Sequence, residues 1–430
     1  MNFLKRMNPG RIIALGFATV ILLGALILYL PISQREGVDL SFMDALFTST
    51  SAVCVTGLIA VDTYDTYSVF GQIVVALLIQ VGGLGVTSVG VGFMLLARRK
   101  VDFKDRILVK EALNLDSMKG IVKLVKSILL MTLCFEAVGA ILSFIVFSQD
   151  YPLPRAIGIS LFHSVASFNN AGFDNLGGFK NLLDYQSNVL LNLTTCGLII
   201  FGGLGFVVIK EILYKRSFKK FSLQSKVVIT MTIFLLAVGT VLLKLTEEIS
   251  WLGAFFFSTS ARTAGFSTYP VGNFTTAGLF IIIILMFIGA SPGSTGGGIK
   301  TTTAFTLFKT AYSASTNTHC GGFKRKLPSD IIMKAFLLTF YAVLLICFST
   351  FLLCVLEPSY TFEQLLFEVV SSFGTVGLST GITPDLNPIS EFIIIVTMYI
   401  GRVGPLTIAS LWSVKLKSSV SYSEEAITIG

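Results

Sequence analysis

Eight apolar stretches constrain the fold of this chain more than any other feature of its sequence. Each is long enough to cross the hydrocarbon core of a bilayer, which takes about 20 apolar residues in a helix. Hydrophobic residues make up 53% of the 430 positions and charged residues only 13%, so the apolar surface needs lipid as well as a protein core. We predict an all-α integral membrane protein. The stretches fall near residues 12–31, 71–97, 121–147, 188–213, 227–246, 277–312, 331–356 and 389–414.

The charged residues predict how these stretches are oriented. Most of the 32 Lys and Arg residues lie at the termini and in the loops near 98–126, 210–226 and 309–334. Cytoplasmic loops carry such an excess, so we expect both termini to be cytoplasmic in a multi-pass protein. The net charge of +8 is spread over short loops, which does not fit the clustered basic surface of a nucleic-acid-binding domain.

The sequence lacks the usual signals of an enzyme. Its six cysteines lie mostly inside apolar stretches and form no CxxC pair, which argues against a disulfide framework and a zinc site. We recognise no catalytic Ser-His-Asp set, metal cluster or nucleotide-binding fold in it. We therefore predict that the chain is not an enzyme and holds no covalent cofactor.

A unit of span, half-helix, glycine loop and span recurs four times. Each half-helix is apolar, too short to span and ends near Ser or Thr, and the second span that follows is rich in glycine at its middle. The recurrence predicts four repeats, with boundaries at 1–100, 101–218, 219–322 and 323–430. The loop glycines are Gly57 in CVTGL, Gly172 in NNAGF, Gly265 in RTAGF and Gly377 in TVGLST.

The chemistry of such loops favours a cation pore. Irregular backbone at membrane depth is tolerated when it is buried in protein or lines a water-filled path. Rings of carbonyl oxygens can replace the hydration shell of a monovalent cation, and glycine lets the backbone turn its carbonyls inward. The alternative is that these glycines only let helices pack closely. Their recurrence at the same place in four units favours the pore.

The glycine loops, the segment ASPGSTGGGIKT and the segment IGRVGP together resemble the Trk/Ktr/HKT superfamily of potassium transporters, over nearly the whole chain. The short N-terminus is more similar to the bacterial Ktr membrane subunits of KtrB and KtrD type. The resemblance implies a pseudo-fourfold, potassium-channel-like fold around a central pore and a role in bacterial potassium uptake. It also implies a homodimer in the cell membrane, with a cytosolic nucleotide-binding regulatory ring of KtrA or KtrC type. Any nucleotide is expected on that ring and not on this chain.

The resemblance also implies a selectivity filter in which backbone carbonyls coordinate K⁺. Each loop has one glycine where the potassium-channel signature has two, so we expect a preference for K⁺, with selectivity over Na⁺ and dependence on Na⁺ left open. The filter residues are Cys54, Val55, Thr56 and Gly57; Asn169, Asn170, Ala171 and Gly172; Arg262, Thr263, Ala264 and Gly265; and Gly374, Thr375, Val376 and Gly377.

The segment from Gly289 to Thr303, called here the 289–303 loop, interrupts the sixth stretch with one proline and several glycines, which break a helix. We predict a mobile gate under the filter; a packing kink is the alternative. A P-loop is excluded because Ile299 separates Gly298 from Lys300. Arg402 in the last stretch is expected to form an electrostatic barrier and to contact the loop, rather than snorkel to the interface. The gate residues are Gly289, Ala290, Ser291, Pro292, Gly293, Ser294, Thr295, Gly296, Gly297, Gly298, Lys300 and Arg402.

Two assignments stay open. Glu136 is either paired inside the bundle or protonated, and Lys300 pairs either with the other protomer or with an anionic group. We expect Arg262 to point behind its loop as a brace and His163 to have a packing role. An alternating-access cation symporter is the alternative to a pore, because transporters also use broken helices and repeats. The equal charge polarity of successive repeats favours the pore.

Overall fold

The computed structural model describes residues 9–98, 101–113 and 117–410. In these residues a long apolar helix, a short helix and a second apolar helix follow one another four times, which confirms the all-α class. The strands described are one short antiparallel pair, β1 (Gly321–Gly322) and β2 (Arg325–Lys326). The helices are α1 (Pro9–Tyr29), α2 (Phe42–Cys54), α3 (Thr63–Thr66), α4 (Val69–Leu84), α5 (Val86–Leu96), α6 (Phe103–Ala112), α7 (Ile121–Phe147), α8 (Leu153–Phe168), α9 (Val189–Leu204), α10 (Phe206–Lys215), α11 (Leu223–Thr246), α12 (Trp251–Ser260), α13 (Thr276–Phe287), α14 (Thr301–Ser315), α15 (Ser329–Leu356), α16 (Phe362–Gly374), α17 (Pro388–Val403) and α18 (Pro405–Ser410).

The first long helix of each repeat is a membrane-spanning candidate. Helices α1, α7, α11 and α15 are long and apolar enough to cross a bilayer. They expose large apolar side chains, with Leu22 52%, Leu133 63% and Phe348 60% accessible. A surface of this kind is suited to lipid and not to water.

The C-terminal ends of the short helices α2, α8, α12 and α16 are buried inside the molecule. Helix α2 begins with a capping box, in which Ser41 and Asp44 bond each other's backbone N–H groups at 3.1 and 3.3 Å. Thr361 and Gln364 start α16 in the same way. Residues 47–54 at the C-terminal half of α2 are all buried. The caps fix where these helices begin, and their C-terminal ends lead directly into the glycine loops.

In the first two repeats, the second apolar helix is not the straight span that the sequence predicts near 71–97 and 188–213. Helices α4 and α5 meet at 99°, and so do α9 and α10. The joints are Gly85 and Gly205, with φ of +82° and +90°, a conformation that no regular helix contains and that glycine adopts without cost. Gly404, with φ of +97°, separates α17 from α18 in the same way. Residues 411–414 of the last predicted stretch lie outside the described residues.

Three residues before each of these joints, a helical glycine packs on the end of a short helix. A Cβ on Gly82 would overlap Val53 O, one on Gly202 would overlap Phe168 O, and one on Gly401 would overlap Phe373 O. The first glycine of each pair therefore permits close approach to the glycine loop, and the second turns the chain away.

The repeats form a closed ring. Each short helix packs against the second apolar helix of its own repeat. It also packs against the second apolar helix of the preceding repeat, and these contacts are α8 on α4, α12 on α9, α16 on α13, and α2 on α17. The last contact joins the fourth repeat to the first. This closure brings the four glycine loops together around one axis.

Candidate functional site

The glycine ring, defined by Gly57, Gly172, Gly265 and Gly377, lies at that axis. A Cβ placed on these residues would lie 2.9, 3.0, 3.0 and 2.8 Å from the Cα of the next glycine, in the order 57 to 172 to 265 to 377 and back to 57. All four have positive φ, between +69° and +95°. The ring therefore has no room for side chains at these positions.

Backbone oxygens occupy the gaps between neighbouring loops. The atom that each added Cβ would meet first is a carbonyl oxygen of the residue before the next glycine: Ala171, Ala264, Val376 and Thr56. The N–H groups of Gly57 and Gly377 instead point back, toward the hydroxyls of Ser51 and Ser371 at 3.0 and 3.1 Å. The ring thus presents carbonyl oxygens from equivalent positions, which is the chemistry that a desolvated monovalent cation requires.

A second ring of left-handed residues lies two positions before the glycines. Val55, Asn170, Thr263 and Thr375 have φ of +55°, +59°, +77° and +49° and are fully buried. Such conformations are rare for residues other than glycine, above all for β-branched ones, and persist where the surroundings fix them. The equivalence of the four positions shows that all loops share one backbone conformation.

Glu368 supports the fourth loop from behind, and sequence reasoning did not single it out. It lies in the middle of α16, is inaccessible to solvent and accepts hydrogen bonds from the Ser379 hydroxyl at 2.6 Å, the Thr380 N–H at 3.0 Å and the Thr383 hydroxyl at 2.9 Å. The signal for it in the sequence is a carboxylate flanked by apolar residues, in LLFEVV.

The other ionisable residues named from the sequence lie off the axis. The Arg262 guanidinium faces Thr232 on α11 at 3.5 Å, behind its loop. Glu136 is paired, because the Asn169 amide donates to it at 3.1 Å. His163 contacts the Thr195 hydroxyl at 2.9 Å, and the residues described contain no group of His, Cys, Asp and Glu that could hold a metal ion.

The 289–303 loop fills the space on one side of the ring. It connects α13 to α14 and is non-helical up to Lys300. The Ser291 N–H donates to Gly203 O at 3.1 Å, and the Gly297 N–H donates to the Thr375 hydroxyl at 2.9 Å. The Lys300 ammonium bonds back to Gly296 O at 2.7 Å. The loop is therefore tied to the second and fourth repeats.

Arg402 fastens the same loop to the first repeat. Its Nη1 donates to Thr295 O, and its Nη2 donates to Gly82 O and, at 3.4 Å, to Gly83 O. One guanidinium thus joins the 289–303 loop, the end of α4 and its own helix α17. Together these contacts hold the 289–303 loop in place on this side of the ring.

One cavity lies beside the glycine ring and another beside the 289–303 loop. One, of about 400 Å³, is lined by Gly57, Gly265, Gly377 and Asp174 on the face away from the 289–303 loop. The other, of about 300 Å³, includes Glu111 and lies beyond the loop, next to Lys300 and Arg402. The glycine ring and the loop therefore stand in series between two openings.

Comparisons with known proteins show the family to which this chain belongs. The TrkH family model, described as cation transport protein, matches residues 13–424. This chain belongs to the TrkH family. This membership confirms the resemblance inferred from the sequence. Because the family consists of cation transport proteins, it also confirms the prediction that the chain is not an enzyme.

Several members of the TrkH family align over nearly the full chain. The potassium/sodium uptake protein NtpJ of Enterococcus hirae is 39% identical, over 99% of this chain and 98% of that protein. The Ktr system potassium uptake protein B of Bacillus subtilis is 36% identical, over 99% and 97%. The crystal structure of the potassium transporter TrkH from Vibrio parahaemolyticus superposes with a TM-score of 0.76 at 17% identity, covering 95% of this chain and 86% of that one, and so shares its fold.

Proposed function

We propose that this chain is the pore-forming membrane subunit of a bacterial potassium uptake system, conducting K⁺ through the glycine ring. The observation that carries the proposal is the ring itself, in which carbonyl oxygens from four equivalent loops surround one axis. The relatives from Enterococcus hirae and Bacillus subtilis are named as potassium/sodium and potassium uptake proteins, and these names support K⁺ as the conducted ion. The membrane potential would drive uptake, at about 2.3 kcal/mol per charge for each 100 mV.

The 289–303 loop and Arg402 are the proposed gate. The loop lies directly against the ring, and a cation leaving the ring toward the cavity beyond it would meet the loop backbone and a fixed positive charge. Passage then requires the loop to move aside. A symporter with alternating access is the second candidate, but the closed ring of four parallel repeats favours a continuous path gated on one side.

The proposal extends to assembly and location. The Ktr names of several relatives support a regulatory partner. We propose that this partner is a cytosolic nucleotide-binding ring of KtrA or KtrC type, that it binds the basic loops, and that this chain forms a homodimer. Both termini are then cytoplasmic. The relative named for potassium and sodium uptake makes Na⁺ a second ion to measure.

Flux into proteoliposomes that contain this chain tests the proposal. We expect uptake of K⁺ in excess of Na⁺, driven by an inside-negative potential. Folded protein that carries neither ion, with or without a co-reconstituted regulatory ring, would overturn the pore. K⁺ accumulation against its own electrochemical gradient, driven by an inwardly directed gradient of a second cation, would favour the symporter.

External pH is expected to alter uptake through Asp174. This residue is 8% accessible and lines the outer cavity beside the glycine ring. Burial, aided by the charges of Asp62 and Asp65 and partly offset by the Leu176 and Gly177 N–H groups, raises the pKa of its carboxyl to about 7. The carboxyl is therefore negative at pH 8 and neutral at pH 6, so acid removes a charge that concentrates cations at the mouth.

We expect K⁺ influx at low external K⁺ to fall about two- to fivefold from pH 8 to pH 6, as expected for the loss of one charge near the entrance. Asp174→Asn should give the low flux at both pH values. Asp39→Asn, which removes an exposed charge that does not line this cavity, is the control and should keep the pH response. Retention of that response in Asp174→Asn would exclude the assignment.

Removal of the Glu368 carboxylate is expected to loosen the fourth loop. Glu368→Ala removes the acceptor of the Thr380 N–H and of the Ser379 and Thr383 hydroxyls. A donor left without a partner costs about 1–3 kcal/mol, so this variant should lower both the thermal unfolding midpoint and the K⁺ preference. Glu368→Gln keeps one acceptor oxygen and should lose less. Glu363→Ala on the same helix is the control, because Glu363 accepts a single hydrogen bond, from the exposed Thr276 hydroxyl at 3.2 Å. Equal losses in both alanine variants would contradict a specific role.

A further inference from the structure

The residues under the glycine ring differ in what they offer to the 289–303 loop. Val55, Asn170, Thr263 and Thr375 occupy equivalent left-handed positions, but their side chains are chemically unlike. Val55 has no polar atom. The Thr263 hydroxyl receives the Asn170 amide at 3.2 Å. Among the hydrogen bonds described here, only that from Gly297 to Thr375 joins a side chain of this set to the loop backbone.

The contact around Thr375 is tight. A Cβ on Gly297 would lie 2.8 Å from Thr375 Cγ2, and one on Gly296 would lie 2.9 Å from Thr263 Cβ. Gly296 and Gly297 are both buried, and Thr375 is inaccessible to solvent. The Gly297 N–H is therefore enclosed in the closed arrangement, where Thr375 provides its hydrogen-bond acceptor.

We propose that Thr375 is a positioning residue of the gate, whose hydroxyl holds the 289–303 loop closed against the fourth glycine loop. The inference rests on the proposed pore and adds the group through which the filter and gate are coupled. A buried donor without an acceptor is unfavourable, whereas a loop moved into the adjoining cavity can bond water. Loss of the Thr375 hydroxyl therefore destabilises the closed loop more than an open one.

The chain itself supplies the substitution that isolates this hydroxyl. Val55 holds the same position in the first repeat at φ of +55°, close to the +49° of Thr375. Valine is thus accommodated in this backbone conformation, and it matches threonine in shape. Thr375→Val removes the hydrogen bond with little change in packing, and Thr375→Ser keeps the hydroxyl.

Hydrogen–deuterium exchange of the peptide covering 289–303 tests the inference without requiring transport. In the full-length protein, Thr375→Val should speed exchange there by about five- to a hundredfold, the range expected when one buried donor loses its acceptor. Thr375→Ser should restore slow exchange. Thr397→Val is the matched control, a buried threonine of α17 whose hydroxyl bonds Ile393 O and Ser349, and it should leave this peptide unchanged.

K⁺ and Na⁺ flux into proteoliposomes completes the test. Thr375→Val should conduct K⁺ several-fold faster than wild type without added regulatory partner, and should keep its preference over Na⁺. Exchange and flux at wild-type values in folded Thr375→Val would overturn the inference. Faster flux with the preference lost would also overturn it, because that result marks a damaged filter. Faster exchange with no ion flux in any variant would instead refute the proposed pore and leave the hydrogen bond to the loop established.

Discussion

Gly265→Ser is expected to lower the preference for K⁺ over Na⁺ by about tenfold or more, equivalent to about 1.4 kcal/mol in relative ion binding. The added Cβ would overlap Val376 O and lie 3.0 Å from Gly377 Cα. The ring cannot accept it without moving the fourth loop outward, and with it the carbonyl oxygens that would replace the hydration shell of the ion. Flux of K⁺ and Na⁺ into proteoliposomes, measured separately under the same potential, gives the ratio.

The control for Gly265→Ser must impose the same conformational strain on the backbone, because a side chain at positive φ is unfavourable by itself. Gly265 has φ of +79°, where a residue with a side chain loses about 1–2 kcal/mol. Gly37 has φ of +83° and nothing within 4 Å of an added Cβ. Gly37→Ser therefore imposes similar strain without a clash, in an exposed loop. If both variants lost selectivity equally, general destabilisation would explain the result and the ring would not.

The glycine loops could be predicted because a physical constraint acts on them four times. Backbone that is irregular at membrane depth is rare, so four short apolar segments that end in loops with a glycine are unlikely to be a coincidence. Their convergence on one axis follows once each short helix must pack against two long ones. The resemblance placed the same loops around a pore, and the structure brings Gly57, Gly172, Gly265 and Gly377 into one ring.

The bends at Gly85 and Gly205 could not be predicted from the sequence. In both VGGLG and FGGLG several glycines are candidates for a break, and hydropathy continues across the segment. Gly82 and Gly202 are helical because the short helices approach them closely. Which glycine breaks the helix is thus decided by tertiary packing, and the local pattern cannot reveal it.

The hydrogen-bond partners of the buried charged side chains could not be predicted from the sequence either. Glu136 meets Asn169, and Lys300 meets the carbonyl of Gly296. A charged side chain in a membrane segment predicts that some partner exists. Because these partners are an amide and a backbone carbonyl, no pattern of opposite charges identifies them.

Arg402→Ala is expected to raise K⁺ flux without a regulatory partner by about a hundredfold or more. The side chain binds carbonyl oxygens of Thr295 and Gly82, so its removal breaks the link between the 289–303 loop, the first repeat and helix α17. It also removes a positive charge from the path; two like charges at 4 Å repel by about 4 kcal/mol at an effective dielectric constant of 20. Either effect alone is large enough to govern a gate.

Two further substitutions separate these effects. Arg402→Gln removes the charge but retains an amide donor, and Arg402→Lys retains the charge as a compact ammonium that cannot reproduce the planar guanidinium fork. If the barrier is mainly electrostatic, the glutamine variant conducts like alanine and the lysine variant stays closed. If the hydrogen bonds dominate, the lysine variant conducts and the glutamine variant is intermediate. Wild-type flux in all three variants would remove Arg402 from the gate, because neither its charge nor its contacts would then limit passage.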